Sequence, residues 1–112
     1  MKEIELKFEF KGEQFCLVGY ENDFLSKVIL NGLVWEQHIL EFAIEMSKNN
    51  KMPIFDIGAN IGYHSVLLDR LCKDKELVAI EPHPETLEIL KKNRDLNSSS
   101  FKIVPYAVDK SM

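Results

Sequence analysis

Ile54-Phe55-Asp56-Ile57-Gly58-Ala59-Asn60-Ile61-Gly62 is a short apolar run that meets an acid, two glycines and the start of a helix. In open parallel sheets, ligands lie beyond the carboxyl ends of the strands, and Asp56 with Gly58 to Gly62 takes that place for the first such strand. The spacing is Asp-x-Gly-x-Asn-x-Gly, with the glycines four apart. A dinucleotide site wants Gly-x-Gly-x-x-Gly, and Asn60 stands where its second glycine belongs, which argues against NAD or FAD. Glycine at 58 permits a tight turn and close approach of a ligand to backbone. The helix start at Asn60 to Gly62 offers free N–H groups and the positive end of a helix dipole to an anion. A methionine carboxylate fits such an end, and Asp56 supplies negative charge near an amine or sulfonium.

Working outward, Met52 to Ile57 reads as a strand with Pro53 at its start, where a ladder donor is least needed. Asn60 is placed to cap a helix running to about Cys72. Leu77-Val78-Ala79-Ile80 is a fully apolar strand closed by Glu81. Pro82-His83-Pro84 forces a turn, and Pro84 suits the first position of a helix carrying Leu87, Ile89, Leu90 and Leu96. Asn97-Ser98-Ser99-Ser100 is a loop, and Phe101 to Ala107 a third strand. Strands too apolar to face water on either side, alternating with helices, mean parallel βαβ units with right-handed crossovers. Glu81 ends the second strand and so emerges on the same rim as Asp56. A carboxylate there can accept hydrogen bonds from both hydroxyls of a ribose. Pro82 and His83 lie where they can flank the ribose or adenine, although a turn residue explains His83 as well.

The first fifty residues have another rhythm. Ile4, Leu6, Phe8 and Phe10 alternate with charged residues, the period of a half-buried strand. A turn at Lys11-Gly12-Glu13 and a second strand from Gln14 to Tyr20 complete a hairpin. Asn22 or Asp23 caps a short helix over Phe24 to Leu30. From Val34 to about Lys48, Trp35, Ile39, Phe42 and Met46 fall on one face of an amphipathic helix. The expected organisation is therefore a lead-in over 1–50 and a partial Rossmann-like domain over 51–112.

Composition bounds the function. At 112 residues, 46% hydrophobic and 29% charged, the chain has the profile of one globular domain, well under the usual size of a doubly wound α/β enzyme. The net charge of −4 shows no basic excess, so no nucleic-acid partner is expected. Cys16 and Cys72 sit in apolar runs with no Cys-x-x-Cys pair, consistent with buried thiols in a reducing cytosol. No run is long enough for a membrane span and no signal-peptide core follows Met1-Lys2, which places the protein in the cytoplasm without a membrane partner. His38, His64 and His83 lack metal-ligand spacing, so no metal is expected.

Phe55-Asp56-Ile57-Gly58-Ala59-Asn60-Ile61-Gly62-Tyr63, then Val78-Ala79-Ile80-Glu81-Pro82-His83-Pro84, then Leu90-Lys91-Lys92-Asn93 with Leu96-Asn97, resembles the start of the FkbM family of S-adenosylmethionine-dependent methyltransferases. The similarity runs from about residue 52 to 109, with a weaker extension through Trp35-Glu36. The resemblance implies a class I, Rossmann-like methyltransferase fold with S-adenosylmethionine as cofactor. Asp56, Gly58, Ala59, Asn60 and Gly62 would surround its methionine part, and Glu81 with Pro82 its ribose. It also implies O-methylation of a hydroxyl on a glycan or small-molecule metabolite. Two other readings stand beside it: a class I methyltransferase acting on RNA or protein, and a non-catalytic nucleoside-binding module.

The pattern covers only the N-terminal half of such a fold. In the usual strand order the first strand is central, so its outer edge is expected to lie unpaired. Three arrangements answer this: the chain is a fragment, which the reading favours; another chain supplies the missing part, as in a homo-oligomer; or the hairpin covers the gap. No residue is assigned as a catalytic base. Ala107, Val108 and Asp109 are placed beside the adenine.

Overall fold

A computed structural model describes residues 2–107. The hairpin forms as its alternation demands: β1 (Glu3–Phe10) pairs antiparallel with β2 (Glu13–Tyr20), Leu6 facing Leu17 and Phe8 facing Phe15. Its apolar face is the buried one, with Leu6, Phe10, Phe15 and Leu17 all in the core. Helix α1 (Phe24–Leu30) starts at Asp23, whose side chain accepts a hydrogen bond from the Leu25 N–H.

Helix α2 (Gln37–Lys48) starts later than its spacing predicts, because Glu36 takes a left-handed conformation with φ 52° that the helix cannot continue through. Trp35 therefore precedes the helix. The expected stripe is also not the docked one: Ile39, Phe42 and Met46 are 43%, 67% and 51% exposed. The inward face is Leu40, Ala43 and Ile44, with the Ser47 hydroxyl reaching the Cys72 sulfur at 3.5 Å. Both sets repeat at helical spacing, and only the packing against the next helix chooses between them.

The second half is a three-stranded parallel sheet in the order β3 (Ile54–Ile57), β4 (Leu77–Ile80), β5 (Lys102–Val104). Helices α3 (Tyr63–Leu71) and α4 (Pro84–Leu96) make the crossovers. Register sets Ile54 beside Leu77 and Asp56 beside Ala79 on one face, Phe55 beside Val78 and Ile57 beside Ile80 on the other. The first face is packed: Leu77 and Ala79 are at most 1% exposed, in one core with the hairpin's Leu6 and Leu17 and α3's Val66 and Leu67. The second is open at the edge strand, where Phe55 and Ile57 are 59% and 65% exposed. Among the described residues β3 pairs with β4 alone, so its outer edge is free, as the strand order predicts. Val108 and Asp109 lie outside the described residues. Among those described, no helix is long and apolar enough to cross a membrane.

Candidate functional site

The ends of β3 and β4 form one rim. Beyond Ile57 the chain bends over β4, so that the N–H groups of Gly58 and Ala59 both donate to the Ile80 carbonyl, at 2.9 and 3.0 Å. Gly58, Asn60 and Gly62 have φ of 74°, 55° and 98°, three left-handed residues in five. Glycine adopts this conformation freely, and asparagine is among the few other residues that do so readily. The turn closes with the Gly62 N–H on the Ala59 carbonyl at 3.0 Å.

This geometry moves the helix start. Asn60 is exposed and left-handed and does not cap; Gly62 occupies the cap position of α3 and supplies no side chain. The first-turn amides of α3 consequently lack a side-chain acceptor, and they have none within the helix. That leaves the donor end available to an anionic group.

The two carboxylates are held differently. Asp56 accepts from the Ser65 hydroxyl at 2.6 Å, and Ser65 is fully buried in the first turns of α3. This fixes the carboxylate against the start of α3. Glu81 is only 8% exposed, and its two oxygens accept from the N–H groups of Asn60 at 2.8 Å and His83 at 3.1 Å. A carboxylate has about four lone-pair directions, so two stay open to hydroxyl donors. Glu81 thus ties the β3 loop to the β4 turn while keeping acceptor capacity. Pro82 and His83 are exposed on that turn, with Pro84 opening α4 as its position predicts. Sequence reasoning missed Ser65 as a partner of Asp56; its signal was a hydroxyl on the sheet-facing side of α3.

A cavity of about 490 Å³ adjoins the loop, bounded by Asp56, Gly58 and Asn60 on one side and Trp35, Glu36 and His64 on the other. His64 Nε2 lies 3.2 Å from the Glu36 carboxylate, and its ring is 5.6 Å from that of Trp35. A larger hollow of about 710 Å³ lies between the far ends of α3 and α4 and the hairpin, lined by residues such as Arg70, Lys73 and Ser98. It contains none of the rim residues, so its size does not make it the site. Among the described residues no cluster of His, Cys, Asp and Glu could hold a metal ion.

The Tyr63 hydroxyl donates to the Trp35 carbonyl at 2.8 Å, anchoring the segment before α2 to the first turn of α3. Burial, with the nearby Glu36 charge adding to it, pushes its phenol from 10.0 up to about 12. The folded state therefore holds this proton more tightly. Its contribution to stability is fully present below about pH 10 and is lost as pH rises through about 12. Tyr63→Phe should cost about 1 kcal/mol at neutral pH for the lost hydrogen bond. It should also flatten the alkaline decline in stability, as read from urea unfolding at several pH values.

A parallel sheet with a left-handed glycine loop over its first strand end, and an acid closing the next strand, defines a class I methyltransferase fold. The chain belongs to the TRM5/TYW2 methyltransferase domain family, whose model matches residues 20–112. The cofactor of this domain is S-adenosylmethionine. No curated protein matches the chain. Among solved structures, it is similar to the T. thermophilus 16S rRNA N2 G1207 methyltransferase (RsmC) in complex with AdoMet and guanosine. That match has 16% identity and a TM-score of 0.67, covering 98% of this chain and 29% of the other. M. jannaschii TYW2 in complex with AdoMet matches at 25% identity and TM-score 0.51, over 97% of this chain and 45% of its own. The complex of aTrm5 with tRNALeu matches at 21% and 0.50, over 94% and 28%. The chain thus spans less than half the length of these proteins.

These matches support the methyltransferase class that the FkbM resemblance implies, but FkbM membership is not shown. They overturn the expectation of no nucleic-acid partner, since rRNA and tRNA enzymes stand among the relatives. A net charge is a sum over the chain. It does not report where basic residues cluster on a surface, so it excludes no class of partner.

Proposed function

We propose that Asp56, Gly58, Ala59, Asn60, Gly62, Glu81 and Pro82 form the S-adenosylmethionine-binding rim of an RNA methyltransferase. In this reading residues 51–112 carry the cofactor and 1–50 form the lead-in that buttresses them. The observation that carries it is the juxtaposition of Asp56 and buried Glu81 at adjacent strand ends, with the left-handed loop pinned between them.

The residues fit the group by their chemistry. The free amides at the start of α3 suit a carboxylate. The Asp56 carboxylate, held by Ser65, suits an ammonium or sulfonium, and the open lone pairs of Glu81 suit vicinal ribose hydroxyls. A side chain added at Gly58 would meet no protein atom within 4 Å, so the room over that turn is left to a ligand. When bound, S-adenosylmethionine supplies an activated methyl group on sulfonium. The task of the chain is then to orient that group and exclude water from its neighbourhood.

The family match supports RNA as the acceptor class. The hydroxyl of a glycan or small metabolite, and with it O-methylation, finds no support among the matched proteins. Incubation of the full protein with methyl-labelled S-adenosylmethionine and, in parallel, tRNA, rRNA and a glycan mixture separates the readings. Label in an RNA fraction is expected. Label in the glycan fraction alone would contradict the RNA assignment, and cofactor binding without transfer to any fraction would favour a non-catalytic module.

A further inference from the structure

We propose that Asn93 is a positioning residue for the cofactor loop, and that through it the N-terminal hairpin is a working part of the rim. This rests on the reading of residues 56–62 as that loop. Asn93 is fully buried on α4, and three of its four hydrogen-bonding positions are used. Its Oδ1 accepts from the Val18 N–H at 2.7 Å; its Nδ2 donates to the Val18 carbonyl at 3.1 Å and to the Ile61 carbonyl at 2.7 Å. One helical turn on, Asn97 treats Cys16 alike: Oδ1 accepts from its N–H at 3.0 Å and Nδ2 donates to its carbonyl at 2.7 Å.

Cys16 and Val18 are alternate residues of β2, so their backbone groups point to the same edge. A primary amide carries the same donor and acceptor as a peptide group. The two asparagines therefore stand where a third hairpin strand would pair, which explains their spacing of four on one helix face. Both fasten the hairpin to α4, but only Asn93 continues to the loop.

Its target there is specific. The peptide joining Ile61 to Gly62 is held at both ends, its carbonyl by Asn93 and its N–H by the Ala59 carbonyl. The peptide joining Ala59 to Asn60 is likewise held, its N–H by Glu81 and its carbonyl by Gly62. Between them, the peptide joining Asn60 to Ile61 has no partner among the described residues. Glu81 and Asn93 grip the loop from two sides and leave that one peptide for a ligand. The close seat of Gly62 on α4, where an added Cβ would lie 2.7 Å from Leu90 Cδ1 and 4.0 Å from Asn93 Cβ, leaves the loop no slack on this side.

The test compares Asn93→Ala with Asn97→Ala in the full protein, titrating S-adenosylhomocysteine by calorimetry well below both melting temperatures. Both variants should melt earlier, since each loses hairpin ties. Asn93→Ala should bind about fivefold more weakly and Asn97→Ala within twofold of the parent. Amide hydrogen exchange at Asn60 and Gly62 should rise in the Asn93 variant alone, which a purely structural role would not produce. If Asn93→Ala does not fold, Asn93→Asp keeps the size and the acceptor for Val18 but loses both donors, and should show the same loss. Unchanged affinity in the Asn93 variants, or equal loosening of the loop by Asn97→Ala, would overturn the proposal. A parent protein that does not bind S-adenosylhomocysteine would overturn the loop reading as well.

Discussion

Glu81→Ala should raise the dissociation constant for S-adenosylhomocysteine about 10- to 100-fold, a loss of about 1.5–3 kcal/mol for hydrogen bonds to a charged group. The substitution acts in two ways. The two acceptor directions that face no protein donor are the ones assigned to ribose hydroxyls, and alanine removes them. The two that are used hold the N–H groups of Asn60 and His83, so the same substitution releases the loop and the turn that frame the site. Glu81→Gln separates these effects. Its amide oxygen can still accept from one backbone N–H, but its NH₂ faces the other donor. Affinity should therefore fall less than with alanine, and stability should fall by about 1–3 kcal/mol for the N–H left unpaired. Calorimetric titration and urea unfolding read the two effects independently. Full affinity in Glu81→Ala would remove this residue from the site.

Gly62→Val should destabilise the protein by about 2–6 kcal/mol. Residue 62 has φ 98°, a conformation that costs a β-branched residue about 1–3 kcal/mol. The new Cβ would also stand 2.7 Å from Leu90 Cδ1, and Leu90 is fully buried, so overpacking adds about 1–3 kcal/mol. Gly58→Ala is the informative contrast. Its φ of 74° carries a strain of about 1–2 kcal/mol, but no heavy atom lies within 4 Å of the added methyl. The room at Gly58 is where the ligand is proposed to sit. Gly58→Ala should therefore lose proportionately more affinity than stability, and Gly62→Val the reverse. Equal stability losses in urea unfolding would contradict this division.

Much of the fold is legible in the sequence because local rules and packing agree. The alternation of β1, the turn at Gly12, the Asp23 cap and the proline opening α4 are each stated by a few neighbouring residues and are found in place. What escapes is settled by contacts distant in sequence. The two apolar stripes of α2 have equal periodicity, and only α3 decides that Leu40 and Ala43 turn inward. Asn60 looks like a helix cap, but the bond from its N–H to Glu81 accompanies a left-handed turn that moves the cap to Gly62. Ser65 and Asn93 act on groups nine and thirty-two positions away, beyond any local pattern. Asp56, the glycines and Glu81 are legible as a set, since strand ends in a parallel sheet share one rim. The acceptor class is not, because an overall charge does not report where charges cluster on a surface.

The reading of this rim is tested most directly by following the backbone amides of the ¹⁵N-labelled protein while S-adenosylhomocysteine is added. Binding should shift the amide resonances of Gly58 to Gly62 and of Glu81 and His83 together along one saturable curve. The amides around Arg70 and Ser98, at the larger hollow, should stay still. Saturable shifts confined to that hollow, or no shifts at either place, would contradict the assignment of Asp56 to Gly62 and Glu81 as the cofactor rim.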